Sequence, residues 1–367
     1  MGLGVLGLLI LPYGGNIARL GAVEARMKYR AFGLLCVLVC LACVVDAAEE
    51  KTIRIGIIGC DTSHVPAFVK IFNDPKASGD LAGCRVVAAF PGGSPDLPAS
   101  RDRVQKFTDE LRKQNIEIVE SIPELLKRVD AVLLESVDGR PHLAQARPVI
   151  EAKKILFIDK PLAGSLADAI AIAELAKKND VPWFSSSALR FGPETVALKS
   201  NAKVGEIVGV DAWSPCPIEE HHPDLYWYGI HGCELLYTLM GPGCETVTRV
   251  QSGGGEKEGG ELVTGTWKGG RIGTFRGIRT GKEDYGAVVF GKKGIATQLG
   301  FEGYKALDEQ IGRFFKTRVP PVAAEETIEL MAFMEAADES KRQGGKPVKI
   351  SEVMGKAREE AGRRGGN

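Results

Sequence analysis

Residues 155–163 constrain this chain more than any other stretch. The run Ile155-Leu-Phe-Ile158 is short, apolar and branched, the pattern of a strand buried on both faces of a parallel sheet. It passes straight into Asp159, Lys160 and Pro161, and Ser165 with Asp168 forms an N-cap box that opens a helix. This places Lys160 at the carboxyl edge of an open α/β sheet, where such sheets bind ligands. Pro161 stiffens the backbone behind it. The competing reading of Lys160 is a solvated turn lysine.

The neighbouring segments extend the pattern. Thr52 to Gly59 reads as a first strand and Val65 to Phe72 as a first helix. Further strands at Arg85–Phe90, Ile116–Val119, Ala131–Glu135 and Val181–Phe184 alternate with helices. Alternation at this spacing predicts an α/β domain, a Rossmann-like doubly wound parallel sheet, over residues 49–187. After Arg190-Phe191-Gly-Pro193 the period changes. Residues 205–213, 262–267, 271–276 and 285–290 alternate apolar with polar or small residues. That predicts an α+β domain over 188–351, with an open, mainly antiparallel sheet covered on one face. An amphipathic helix is expected over 325–343, and residues 352–367, basic and glycine-ended, read as a disordered tail.

Asp159-Lys160-Pro161, preceded by His142-Leu-Ala-Gln-Ala146 and Val149-Ile-Glu-Ala-Lys-Lys154, resembles the Glu-Lys-Pro segment of the Gfo/Idh/MocA oxidoreductases, the glucose–fructose oxidoreductase and inositol dehydrogenase family. The order of elements matches from about Thr52 to Ser351. Asp159 departs from the family's glutamate by one carbon. The resemblance implies an NAD- or NADP-dependent oxidoreductase acting on a sugar or sugar derivative, with Lys160 and His231 at the reacting carbon. His231 would take the proton from a hydroxyl, and Lys160 would favour the negative charge that develops there. Family members commonly carry an aspartate four residues before that histidine, where this chain has Trp227. Gly56, Gly59, Asp61, Thr62, Ser63, His64, Ser136 and His142 fall at cofactor-binding positions. Arg190, Tyr226, Trp227 and Glu234 fall near the substrate. Arg190 reads as a substrate contact or an interdomain ion pair. Tyr226, Trp227 and Tyr228 read either as stacking faces for a sugar ring or as cover for the sheet edge.

The cofactor loop departs from a dinucleotide fingerprint, which needs three glycines. In Gly59-Cys-Asp61-Thr-Ser-His64 only the first remains. An Asp61 carboxylate facing a phosphate at about 4 Å would cost roughly 4 kcal/mol at an effective dielectric near 20. A helix N-terminus returns only about 0.3–1 kcal/mol. Asp61 therefore turns away, or the pyrophosphate sits elsewhere, or no dinucleotide binds. Pro66 sets the helix start at His64 with Ser63 as its cap. Asp61 and His64 form either a self-satisfied turn or part of a ligand site. The second strand ends in Phe90-Pro-Gly, without the acid that usually holds the ribose hydroxyls.

Lys plus Arg and Asp plus Glu number 47 each among 367 residues. No overall field favours nucleic acid, so the expected partner is a small, sugar-like molecule. Met27-Lys-Tyr-Arg30, the apolar run Ala31–Val45 and Val45-Asp-Ala47 read as a secretory signal peptide with translation starting at Met27. Residues 1–48 are thus a leader, and the mature chain is exported, periplasmic or extracellular, with no stable membrane span once the leader is cleaved. Lipidation at Cys43 is the alternative. Five cysteines remain in the mature chain, without metal-ligand spacing, and no metal is expected; His221, His222 and Asp224 read as a solvated loop. The open sheet face predicts a homo-oligomer. The rival functional classes are an exported non-redox carbohydrate-binding protein, or a lyase or hydrolase using Asp61, His64 and His231, that keeps the fold without a dinucleotide.

Overall fold

The computed structural model describes residues 52–252 and 258–364. The expected leader lies outside the described residues, as do residues 253–257 of the glycine-rich turn.

The first half alternates strand and helix: β1 (Ile53–Ile58), α1 (His64–Phe72), β2 (Cys84–Phe90), α2 (Pro98–Lys113), β3 (Glu117–Ile118) and α3 (Ile122–Leu126). Then come β4 (Ala131–Leu134), α4 (His142–Glu151), β5 (Ile155–Asp159), α5 (Leu166–Lys178) and β6 (Trp183–Ser186). The strands form one parallel sheet in the order β3-β2-β1-β4-β5-β6. Every residue of β4 and β5 is buried, as an inner parallel strand between two helical layers requires. The order reverses between β1 and β4, the crevice where doubly wound sheets take their ligands. Ser165 caps α5 as expected, accepting from the Asp168 N–H at 3.1 Å.

The second half begins with α6 (Pro193–Lys199), β7 (Ile207–Pro215), α7 (Asp224–Trp227) and α8 (Ile230–Met240). It continues with β8 (Cys244–Gln251), β9 (Gly260–Trp267), β10 (Ile272–Ile278), β11 (Gly286–Gly291) and β12 (Ile295–Leu299). Last are α9 (Lys305–Thr317), α10 (Ala324–Arg342), β13 (Val348–Lys349) and α11 (Ile350–Arg364). The sheet runs β12-β11-β7-β10-β9-β8-β13 and is antiparallel except for the β7–β10 pair. Val210, Ala212, Val247, Val263, Phe275 and Val289 turn inward beneath α8 and α10. The other face is open and carries exposed Val250, Ile272, Ile295 and Leu299.

Two expectations are corrected. Residues 352–364 are not a disordered tail: they continue α11, whose Ile350, Val353, Ala357 and Ala361 form a buried stripe at helical spacing against α5 and α10. The basic and glycine residues between them masked that stripe. The chain also crosses back after 188, because Leu307, Ile311 and Phe314 of α9 join the core of the first sheet. Phe314 meets Phe184 of β6 edge to face at 5.0 Å. Among the described residues, no helix is long and apolar enough to cross a membrane.

Candidate active site

Three neighbouring strands of the parallel sheet deliver the chemistry. At the end of β5, Lys160 is only 7% exposed, with its ammonium 5.5 Å from the centroid of the Tyr228 ring. Beside it, Asp159 Oδ2 lies 2.8 Å from Nδ1 of His64, the first residue of α1. Glu135, just past β4, lies between these strand ends in the sheet order and is fully buried. Among the described residues, its two carboxylate oxygens and Asp159 Oδ1 have no hydrogen-bond partner. Burial, with the Asp159 charge beside it, pushes the Glu135 carboxyl well above its ordinary value.

The loop after β1 resolves the Asp61 question. Gly59 has φ +89°, and a Cβ there would stand 2.4 Å from the Ser136 backbone nitrogen, so only glycine lets this loop close onto the end of β4. Asp61 turns inward. Its carboxylate is fully buried, accepting from Ser100 Oγ at 2.6 Å and from the Val137 N–H at 2.9 Å. Burial raises its pKa against those two hydrogen bonds. It therefore presents no charge to the outer side of the loop, and in that respect a dinucleotide fits. Much of the loop's donor capacity is already committed. The Gly59 and Cys60 N–H groups donate to the carbonyls of Phe90 and Pro91 at 2.9 and 2.7 Å, the Val65 N–H donates to the Thr62 carbonyl at 3.3 Å, and Pro66 has no N–H. The groups left for a pyrophosphate are those of exposed Ser63, with Thr62 beside it. Ser63 precedes the helix as expected, but its side chain makes no cap hydrogen bond.

From the second half, α8 brings His231 to the same place. Its Nδ1 lies 2.7 Å from Ser187 Oγ at the end of β6. Burial and the nearby Lys160 charge push the imidazole well below its ordinary pKa, so it is neutral at pH 7. Tyr228 stands 5.3 Å from the His231 ring. An arc of rings continues from His231 through Tyr285 (5.8 Å), Phe301 (6.4 Å) and Tyr304 (5.1 Å) to His64 (4.8 Å). Sequence reasoning singled out neither this arc nor Ser187. For Glu135 a signal existed, since a lone carboxylate ending a buried apolar run is unusual.

Several residues expected at the site serve the scaffold instead. Arg190 takes the ion-pair alternative, donating to Glu234 at 2.7 Å and Glu326 at 2.6 Å. Glu234 is not a substrate contact, because its oxygens also accept from Ser186 Oγ and the Ser187 N–H, both at 2.7 Å, and it is buried. Tyr226 is fully buried with its hydroxyl toward the Met331 carbonyl, so no ring face is left for a sugar. Trp227 packs 5.1 Å from the ring of His222. His142, also fully buried, faces the carbonyls of Ser136 (2.9 Å) and Leu162 (3.1 Å) and braces the two loops rather than lining a cleft. Ser136 donates to Gln145 at 2.9 Å. Gly56 lies inside β1, where a Cβ would press on Leu125 and Val129 at 3.0 Å; it serves packing and not the cofactor. His221 and His222 both turn to Glu219, and Asp224 to Arg249 and Lys341, so these three residues do not converge.

Two surface cavities lie elsewhere: one of about 840 Å³ between α5, α10 and α11, and one of about 360 Å³ beside Glu261, Arg276 and Arg279. Neither touches Lys160 or His231.

A parallel six-stranded sheet with a glycine-turned first loop, followed by a mixed sheet that returns a histidine to the strand ends, defines a Rossmann-like fold extended by a second sheet. Residues 53–186 match the Gfo/Idh/MocA family model, described as the oxidoreductase family with NAD-binding Rossmann fold. The chain is 27% identical over 161 residues to dehydrogenase aclE of Aspergillus oryzae, a match spanning 43% of this chain and 42% of that relative. A probable dehydrogenase from Thermotoga maritima superposes with a TM-score of 0.67 at 22% identity, covering 82% of this chain and 99% of that one. A scyllo-inositol dehydrogenase from Lactobacillus casei, solved with NAD(H) and scyllo-inositol, gives 0.66 at 14% identity, covering 82% and 100%. Both structures show the same fold.

Proposed function

We propose that this protein is an NAD- or NADP-dependent oxidoreductase acting on a hydroxyl of a sugar or cyclitol-like ring. The observation that carries the reading is the meeting of Lys160 and His231 on one tyrosine: Tyr228 lies within 5.5 Å of the Lys160 ammonium and 5.3 Å of the His231 ring. The bound dinucleotide supplies the hydride acceptor or donor. The chain's own groups handle the proton and the charge. Neutral His231, with Nδ1 toward Ser187, keeps Nε2 to accept the proton of the reacting hydroxyl. Lys160 stabilises the negative charge that grows on that oxygen, in a place where burial weakens competition from water. The aromatic arc from Tyr228 to Tyr304 offers apolar faces to a polyol ring. The inositol dehydrogenases among the structural neighbours support a ring polyol as the substrate class.

The test is to denature purified protein spanning residues 48–367 and analyse the supernatant for nicotinamide nucleotide, then titrate with NADH and NADPH and screen sugars and inositols. Stoichiometric nucleotide or micromolar binding is expected, with turnover lost in Lys160→Ala and His231→Ala. No nucleotide and no binding at millimolar concentration would refute the reading. The committed N–H groups of Gly59 and Cys60 favour a second one: a carbohydrate-binding protein, lyase or hydrolase without a dinucleotide. Two further parts of the proposal are export by the segment 27–47, checked by N-terminal sequencing of the secreted protein, and self-association through the open sheet face bearing Ile272, Ile295 and Leu299, checked by solution mass.

A further inference from the structure

The ends of β1, β4 and β5 bring together one imidazole and two carboxylates that the hydride-transfer reading does not use. One ligand atom each from His64, Glu135 and Asp159 lies within 4.8 Å of the other two. His64 reaches this cluster from the first turn of α1, its ring stacked on Phe68 at 5.6 Å and flanked by Tyr304 at 4.8 Å, so its position is fixed by packing on both sides.

Glu135 is the independent observation. It is 0% exposed, both of its oxygens are without a partner among the described residues, and its carboxylate points into the cluster. Asp159, 1% exposed, keeps Oδ1 unpartnered as well. A buried ion without a counter-charge costs several kcal/mol, and a pair of them costs more, so structures neutralise such groups with a partner, a proton or a metal. Lys160 adds one positive charge nearby but makes no hydrogen bond to Glu135. Asp308 of α9, itself buried with both oxygens unpartnered among the described residues, is a further carboxyl near Glu135, and burial raises its pKa too. Carboxyl groups thus outnumber the cations beside them, and ionising them all in this buried place requires a counter-charge.

We propose that His64, Glu135 and Asp159 bind a divalent first-row cation, of the Mn²⁺ or Zn²⁺ type. One imidazole with two carboxylates suits these ions, whereas Ca²⁺ requires six to eight oxygens and soft metals require thiolates. A tetrahedral ion with bonds of about 2.1 Å spaces its ligands about 3.4 Å apart, inside the observed 4.8 Å spread, and turning the two carboxylates toward the fixed imidazole closes the difference. The cation takes the place of the contact between His64 Nδ1 and Asp159 Oδ2 and gives Glu135 its missing partner. Three protein ligands leave one position of a tetrahedral ion open. The site does not depend on the dinucleotide: its ligands come from two strand ends and the first turn of α1, and cation binding is measured without nucleotide.

The experiment uses the full mature chain. Its metal content is determined by mass spectrometry as purified. The protein stripped with chelator is then titrated with Mn²⁺ and Zn²⁺ by calorimetry, with thermal unfolding followed in parallel. The expected result is one ion per chain, micromolar or tighter affinity for at least one of the two metals, and a raised melting temperature. Glu135→Gln and His64→Ala should each weaken binding at least ~100-fold, because even groups outside the first ligand shell are worth about 10–100-fold. Circular dichroism of the stripped variants separates loss of a ligand from loss of the fold. Wild-type protein that takes up neither metal at millimolar concentration overturns the proposal. So does wild-type protein with an infrared carboxylic-acid band that metal leaves unchanged and Glu135→Gln abolishes, since Glu135 is then neutralised by a proton. Binding that survives both substitutions places the ion elsewhere and also overturns it.

Discussion

Nδ1 of His231 lies 2.7 Å from Oγ of Ser187, so the residue just past the last strand of the parallel sheet orients a histidine carried by the other half of the chain. Ser187 directly follows β6, and its hydroxyl also accepts from the Leu189 N–H. It is a positioning residue, which holds one ring nitrogen so that the other is presented to the substrate. Ser187→Ala should lower kcat about tenfold with little change in KM, because the lost interaction acts on the proton-transfer step and not on substrate binding. Ser187→Thr should recover most of the rate. Steady-state kinetics of both variants check this, and an equal rise in KM alone would contradict it.

The depressed pKa of His231 sets the acid side of the pH profile. An ordinary imidazole loses its basic form below about pH 6.5. Burial and Lys160 hold His231 well below that value, so the neutral form persists as pH falls past 6.5 and is lost only through the lower, folded-state pKa. In the oxidation direction kcat/KM should therefore stay level between pH 6 and 7. The same sign applies to stability: the unfolded chain takes up this proton first, so the contribution is complete above about pH 6.5 and declines below it. An acid limb centred at 6.5 or above would show that the imidazole is not the base.

Asp61 joins the β1 loop to the N–H of Val137 and the hydroxyl of Ser100. Asp61→Ala leaves two buried donors unmatched and should destabilise the protein by about 2 kcal/mol. Urea unfolding measures this. A neutral result would mean that the carboxylate is not the brace between β1 and β4.

Glu234 meets Arg190, Ser186 and Ser187 in one buried cluster. Glu234→Ala strands the guanidinium, although Glu326 remains on its other side, and should cost about 3 kcal/mol. Replacing a rim residue such as Phe301, 44% exposed, should leave stability unchanged and act on substrate affinity alone. Paired denaturation and binding curves separate the two outcomes.

Much of the first half was legible because parallel strands carry their own signature. The apolar run 155–158, the Ser165 cap and the proline that starts α1 at His64 depend on neighbours only a few residues away. The disposition of polar residues was less legible. Glu234, Arg190 and Tyr226 look like site residues in a row of letters, because a charged or aromatic side chain near a histidine reads the same whether it faces a cleft or a partner helix. In the structure all three are buried, satisfied from elements more than forty residues distant. The stripe of α11 was hidden among basic residues and became visible only against α5 and α10.

The sequence by itself determined the strand that ends in Lys160, the single glycine of the first loop and the change from parallel to antiparallel patterning, since each is written in local periodicity and backbone preference. Only the tertiary structure decided that Asp61 turns inward, that Ser187 holds His231, and that Glu135 stands without a partner beside His64 and Asp159. Those are questions of which distant groups share one buried volume, and burial is where electrostatic and hydrogen-bond energies become large enough to choose.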